Sequence, residues 1–192
     1  MHYFFDVQVD ARAAADVDVE AFAREVQRTL GLAQGWRRWG FGFTRVFPDE
    51  AGARQMRKRL GLYFTIRLAP NIDVLELGGA EFDGMSAADC SENLVRINAD
   101  RWRSGAKPNP TDAVSGMPLA AYRQYVVLHE VGHILSRCSP THHQKACAPC
   151  GRAPVMMQQT NGVGKCRWNP WPVAGVDEVE PLEHARQLRM RR

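Results

Sequence analysis

A chain of 192 residues with 45% hydrophobic and 24% charged side chains has the composition of one globular domain, with apolar surface enough for one core and not two. The formal charge of +4 is thinly spread. Its densest clusters, Arg54, Arg57, Lys58 and Arg59, then Arg186, Arg189, Arg191 and Arg192, read as solvated helix faces rather than a nucleic-acid surface.

The first third reads as strand, helix, strand. Residues 3–9 are extended, and residues 18–30 set Val19, Phe22, Val26 and Leu30 at helical spacing behind an acidic start, with Gly31 and Gly35 as the stop. Phe41, Phe43, Val46 and Phe47 form a second strand, residues 50–60 a short basic helix, and residues 62–68 a third strand ended by Ala69-Pro70. Between 71 and 116 the pattern weakens, and the short apolar runs 74–77 and 94–98 read as sheet edges and loops. A helix then opens near Pro118 and runs to about Arg137. Tyr122, Val126, His129 and His133 share one face of it, while Val127, Val131 and Ile134 cover the other, so it is apolar nearly all round and belongs in the interior. The last run, 181–188, reads as a short helix. No stretch is long enough to span a membrane, and the N-terminus lacks the basic start and apolar run of a secretory signal.

Histidines on a buried helix need an explanation. His129-Glu130-Val131-Gly132-His133 is the HExxH arrangement, in which residues four apart stand one turn above each other and two imidazoles reach one metal ion. A zinc ion lowers the pKa of its bound water towards about 7, and Glu130, beside the first ligand, accepts the proton without being a ligand itself. The extended form of this motif in metzincin peptidases has a glycine and a histidine where this chain has Ser136 and Ser139. The nearest histidines, His142 and His143, lie thirteen and fourteen residues after His129. An insertion of four residues brings His143 into the third-ligand position, with His142 and Cys138 as alternatives. Ala153-Pro154-Val155-Met156-Met157-Gln158-Gln159-Thr160 resembles the methionine turn that metzincins place beneath their zinc, whereas a thermolysin-like enzyme uses a distant glutamate.

Of the five cysteines, Cys138, Cys147, Cys150 and Cys166 crowd the last third and Cys90 stands apart. The odd count leaves at least one thiol unpaired within a monomer. A single CxxC knuckle favours two disulfides over a structural zinc site.

Residues 97–102, 122–133, 153–160 and 166–172 together resemble a group of actinobacterial, usually secreted, metzincin-like proteins grouped as a domain of unknown function. The resemblance is clear from about Ile97 to Pro172 and present only in outline before that. It implies a metzincin-like fold and a peptidase activity. Counted back from Met156, the family's third histidine falls on His143, and a cysteine after the zinc motif, here Cys147 or Cys150, pairs with Cys166. The family's cysteine upstream of the Cys90 position has no counterpart here, which leaves Cys90 without that partner.

The expectation is therefore an α+β, metzincin- or zincin-like domain over residues 1–175, a mixed twisted sheet with a backing helix and a buried zinc-binding helix, followed by a short basic C-terminal helix or tail over 176–192. One Zn2+ per chain is held by His129, His133 and His143 with water as fourth ligand. Glu130 is the catalytic base on a peptide or protein substrate, and Met156 supports the site from below. Trp102 and the Asn169-Pro170-Trp171-Pro172 turn are scaffold. Two rivals are a zincin-shaped structural or binding protein without catalysis, favoured by Ser136 and Ser139, and a zinc-ribbon-like module on the C-terminal cysteines and basic tail.

Overall fold

The computed structural model describes residues 1–14, 17–47, 51–52, 55, 62–71, 85–105, 117–138, 146–177 and 179. In chain order its elements are β1 (His2–Val9), α1 (Val19–Gly31), a 3-10 turn (Trp36–Trp39), β2 (Gly42–Arg45), β3 (Tyr63–Ala69), β4 (Ala87–Asp89), β5 (Leu94–Asn98), α2 (Ala99–Ser104) and α3 (Leu119–Ser136). The five strands form one mixed sheet in the order β2-β1-β3-β5-β4, parallel throughout except for the antiparallel pairing of β4 with β5.

Register sorts the side chains into two faces. Phe5 stands opposite Phe64, Val7 opposite Ile66, and Ile66 and Leu68 opposite Val95 and Ile97, a continuous apolar face that joins the helices in one core. The other face is polar at its centre. The Thr65 hydroxyl donates to Asp6 at 2.6 Å, and Arg67 donates to Gln8 at 2.7 and 3.1 Å.

Three expectations change. The run 94–98 is an interior strand and not an edge, because Leu94, Val95, Ile97 and Asn98 are buried and β4 closes the sheet outside it. Val19 shares the helical spacing of α1 but is 47% exposed, since it begins the helix just beyond the core that holds Phe22, Val26 and Leu30. Residues 99–104, unassigned from sequence, form α2 because the Asn98 side chain accepts from the N–H groups of Asp100 and Arg101, at 2.9 and 3.1 Å. Trp102 of α2 meets Phe22 of α1 edge to face at 4.7 Å, consistent with a scaffold role.

Of the basic helix expected over 50–60, only 51, 52 and 55 are described, and they are helical. The run 74–77 and the C-terminal helix over 181–188 lie outside the described residues. Among the described residues no helix is long and apolar enough to cross a membrane.

Candidate metal centre

The helix α3 is buried over nearly its whole length: Tyr122, Tyr125 to Gly132, Ile134 and Leu135 all lie inside. It is wedged between α1, the β4–β5 side of the sheet and the C-terminal segment. Hydrophobic burial thus fixes the axis, and the 3.6-residue period then brings His129 and His133 to the same side.

Their rings cross nearly perpendicular, with the two Nε2 atoms 3.3 Å apart. Two imidazoles on a tetrahedral zinc, each at about 2.0–2.1 Å, hold their nitrogens about 3.3 Å from each other. The spacing of the pair matches that of two ligands on one such ion. The tautomer fits as well: His129 Nδ1 is 2.8 Å from the carbonyl oxygen of Val155, an acceptor, so Nδ1 carries the proton and Nε2 presents a lone pair. Glu130 is buried, and burial pushes its carboxyl up to about 8 in the absence of a cation. A nearby positive ion pulls such a value down.

The Val155 carbonyl is held in place from two directions. Asp177, itself buried, accepts the N–H groups of Val155 at 2.8 Å and Met156 at 3.1 Å, and that of Val173 at 2.8 Å. Burial raises the Asp177 carboxyl above its usual range despite these three donors. The Tyr125 hydroxyl donates to the Met157 carbonyl at 3.0 Å and accepts from Gln159 N–H at 2.9 Å, tying the same turn to α3 one helical turn before His129.

Met156 packs against α3 at Gly132, and its position accounts for a residue of the motif. A Cβ on Gly132 would overlap Met156 Sδ and come within 2.8 Å of Trp36 Cζ2. Glycine inside HEVGH is thus the residue that lets the methionine turn and Trp36 reach the helix. The Trp36 indole N–H also donates to the Leu128 carbonyl at 2.8 Å.

At the end of α3, Ser136 replaces the motif's glycine without loss of the turn, because the chain reverses one residue later. Arg137 and Cys138 both adopt left-handed backbone, φ 55° and 52°, and the Cys138 N–H returns to the His133 carbonyl at 2.8 Å. Each such residue costs roughly 1–2 kcal/mol.

Cys138 is bonded to Cys90 and Cys147 to Cys166, leaving Cys150 free and exposed. Cys90 therefore has a partner within the chain, because β4 delivers it beside the C-terminus of α3. A bridged sulfur is not a thiolate, so Cys138 leaves the set of third ligands. The zinc-ribbon reading fails too, with three of its four cysteines in disulfides.

His142 and His143 lie outside the described residues. Among the described residues no group of three His, Cys, Asp or Glu converges on a metal position. Sequence reasoning missed Asp177, Tyr125, Trp36 and the Val155 carbonyl, since none belongs to a spacing pattern and each reaches the site only through the fold.

Residues 1–170 match the family model described as a protein of unknown function, DUF3152. The chain belongs to that family. The DUF3152 match takes in the sheet, α3 and the Met156 turn as one unit, and Asp177 follows it. No curated protein matches the chain.

Proposed function

We propose that this chain is a zinc-dependent metallopeptidase of metzincin-like fold, in which His129 and His133 hold the ion and Glu130 is the general base. One observation carries the reading: two Nε2 atoms meet at 3.3 Å, and His129 is committed by its Val155 contact to offering Nε2. His143 is the third ligand in this reading, on the strength of the family resemblance, with one Zn2+ per chain.

When bound, zinc supplies Lewis acidity towards a peptide carbonyl and brings the pKa of a water down to about 7. The protein's own groups do the rest. Glu130 takes the proton of the attacking water and returns it to the leaving amine. Val155, held by Asp177, keeps the His129 ring oriented, and Met156 fills the space beneath Gly132. Among the described residues β4 ends the sheet beside α3, an edge to which an extended peptide would add so as to lie along the zinc helix.

The test is zinc stoichiometry with turnover of an unstructured protein substrate. One zinc per chain is expected, lost in His129→Ala and His133→Ala and lost or weakened in His143→Ala. Glu130→Ala should keep the metal while turnover drops by about 10²-fold or more. Absence of zinc from the native chain, or binding indifferent to these histidines, would sink the proposal. Zinc binding without turnover would instead favour a zincin-shaped binding protein, the reading that Ser136 and Ser139 favour.

A further inference from the structure

Away from α3 the surface carries a second chemical cluster. A cleft of about 420 Å3 is lined by Arg38, Arg152, Arg167, Gln34, Cys150 and Trp171 among others, and among the described residues that line it none is acidic. His129, Glu130 and His133 take no part in it. We propose that this cleft captures small disulfides bearing carboxylate groups and that Cys150 is the residue they modify.

The cleft is built rather than accidental. Arg152 and Arg167 are neighbours across a short parallel bridge, with Ala153 N–H donating to the Arg167 carbonyl at 2.7 Å and Arg167 N–H to that of Gly151 at 2.9 Å. The Cys147–Cys166 disulfide staples the same two segments. Gly151, at φ 73°, makes the turn that leaves Cys150 at the tip, and Arg167 Nη2 donates to the Cys150 carbonyl at 3.0 Å. Arg38 comes in from the Trp36–Trp39 turn. Among the described residues no carboxylate forms a salt bridge with any of the three arginines. They are therefore a set of forked donors suited to carboxylates, beside the only cysteine of five that is not in a disulfide.

The reaction is thiol–disulfide exchange. Cys150 gives up its proton and its sulfur attacks one sulfur of the small disulfide. A Cys150–sulfur bond forms as the old sulfur–sulfur bond breaks, and the released half leaves as a thiolate that takes up a proton. The small disulfide is itself the oxidant, so the balance closes. Arginines concentrating its carboxylates at the cleft raise the rate without altering the chemistry.

The full chain is incubated with oxidised glutathione, which carries carboxylates, with neutral hydroxyethyl disulfide and with cationic cystamine, and adducts are timed by intact mass and mapped by peptide mass spectrometry. The rate with oxidised glutathione should exceed that with cystamine by about ten-fold at low salt. That preference should collapse in Arg38→Ala/Arg152→Ala and at high salt, and no adduct should form in Cys150→Ser. Both arginines are exposed, so the pair should fold, and Arg167, whose side chain bonds the turn, is left intact. Equal rates with all three disulfides, a preference indifferent to the arginines, or adducts on Cys147 or Cys166 after bridge shuffling would each overturn the proposal.

Discussion

The sheet with its helices and the C-terminal segment 146–177 are held together by different physics. In the first, a single apolar cluster runs from Tyr3 and Phe5 through Phe22, Ile66 and Val95 to Val127 and Leu135. In the second, Val155 and Met156 reach into that same cluster, the other buried apolar cluster consists of Ala153, Met157, Val163 and Cys166, and the regular structure is one 3-10 turn, Gln159–Asn161. Polar side chains bonded to the backbone take over much of the work there. Gln159 donates to the carbonyls of Pro154 and Asn169 and accepts Asn169 N–H, Asn169 donates to the Ala153 carbonyl, and Asp177 collects three backbone N–H groups. Beyond its Val155 and Met156 anchors, a segment too small to form a core of its own is specified by side-chain to backbone hydrogen bonds and a crosslink. It carries two groups that meet α3 from outside, the Val155 carbonyl against His129 and Met156 against Gly132.

The largest expected effect breaks this second region alone. Replacing Cys147 and Cys166 with serine removes a crosslink between residues 19 apart and should cost about 3 kcal/mol. Hydrogen exchange should rise across 146–177 while the amides of β1 and β3 keep their protection. An equal loss across both regions would show that the segment is not separately held.

A smaller effect tests the joint between the regions. Gly132→Ala gains about 1 kcal/mol of helix propensity but forces a methyl into Met156 and Trp36, an overpacking cost of about 1–3 kcal/mol. The overlap should win, because both neighbours are buried, and denaturant unfolding should show a net loss that shrinks in the Met156→Ala background. Stabilisation by Gly132→Ala would refute the close packing of the methionine turn on α3.

The smallest effect is one of pH, read on Asp177. Its folded pKa is raised by burial, so the folded state holds the proton more tightly than the unfolded chain. The stability this adds is fully present below about pH 3.9, the unfolded value, and is lost as pH rises through the folded one. Asp177→Asn should therefore flatten the fall in unfolding free energy of the metal-free protein above that pH. A slope identical in the two proteins would mean that the three donors fully offset burial.

How much of this was legible in the sequence varies with the kind of interaction. Hydrophobic period is local, so β1, α1, β3 and α3 stand where the spacing of Phe5, Val26, Ile66 and Val131 puts them. The run 94–98 was misjudged because five residues do not reveal how many neighbours a strand has, and α2 was missed because its signal is a cap on six residues. The pair His129 and His133 was legible because a four-residue step on a helix is itself a geometry.

The sequence by itself determined the helix, its burial and the side from which two imidazoles project, since all three follow from the period of one continuous element. Tertiary structure alone decided the rest. It chose Val155 as the acceptor for His129 and Asp177 as the clamp on Val155, and it set Met156 against Gly132 and joined Cys90 to Cys138. Each of these contacts links residues far apart in the chain, where no spacing rule operates and only the packed fold brings the atoms within reach.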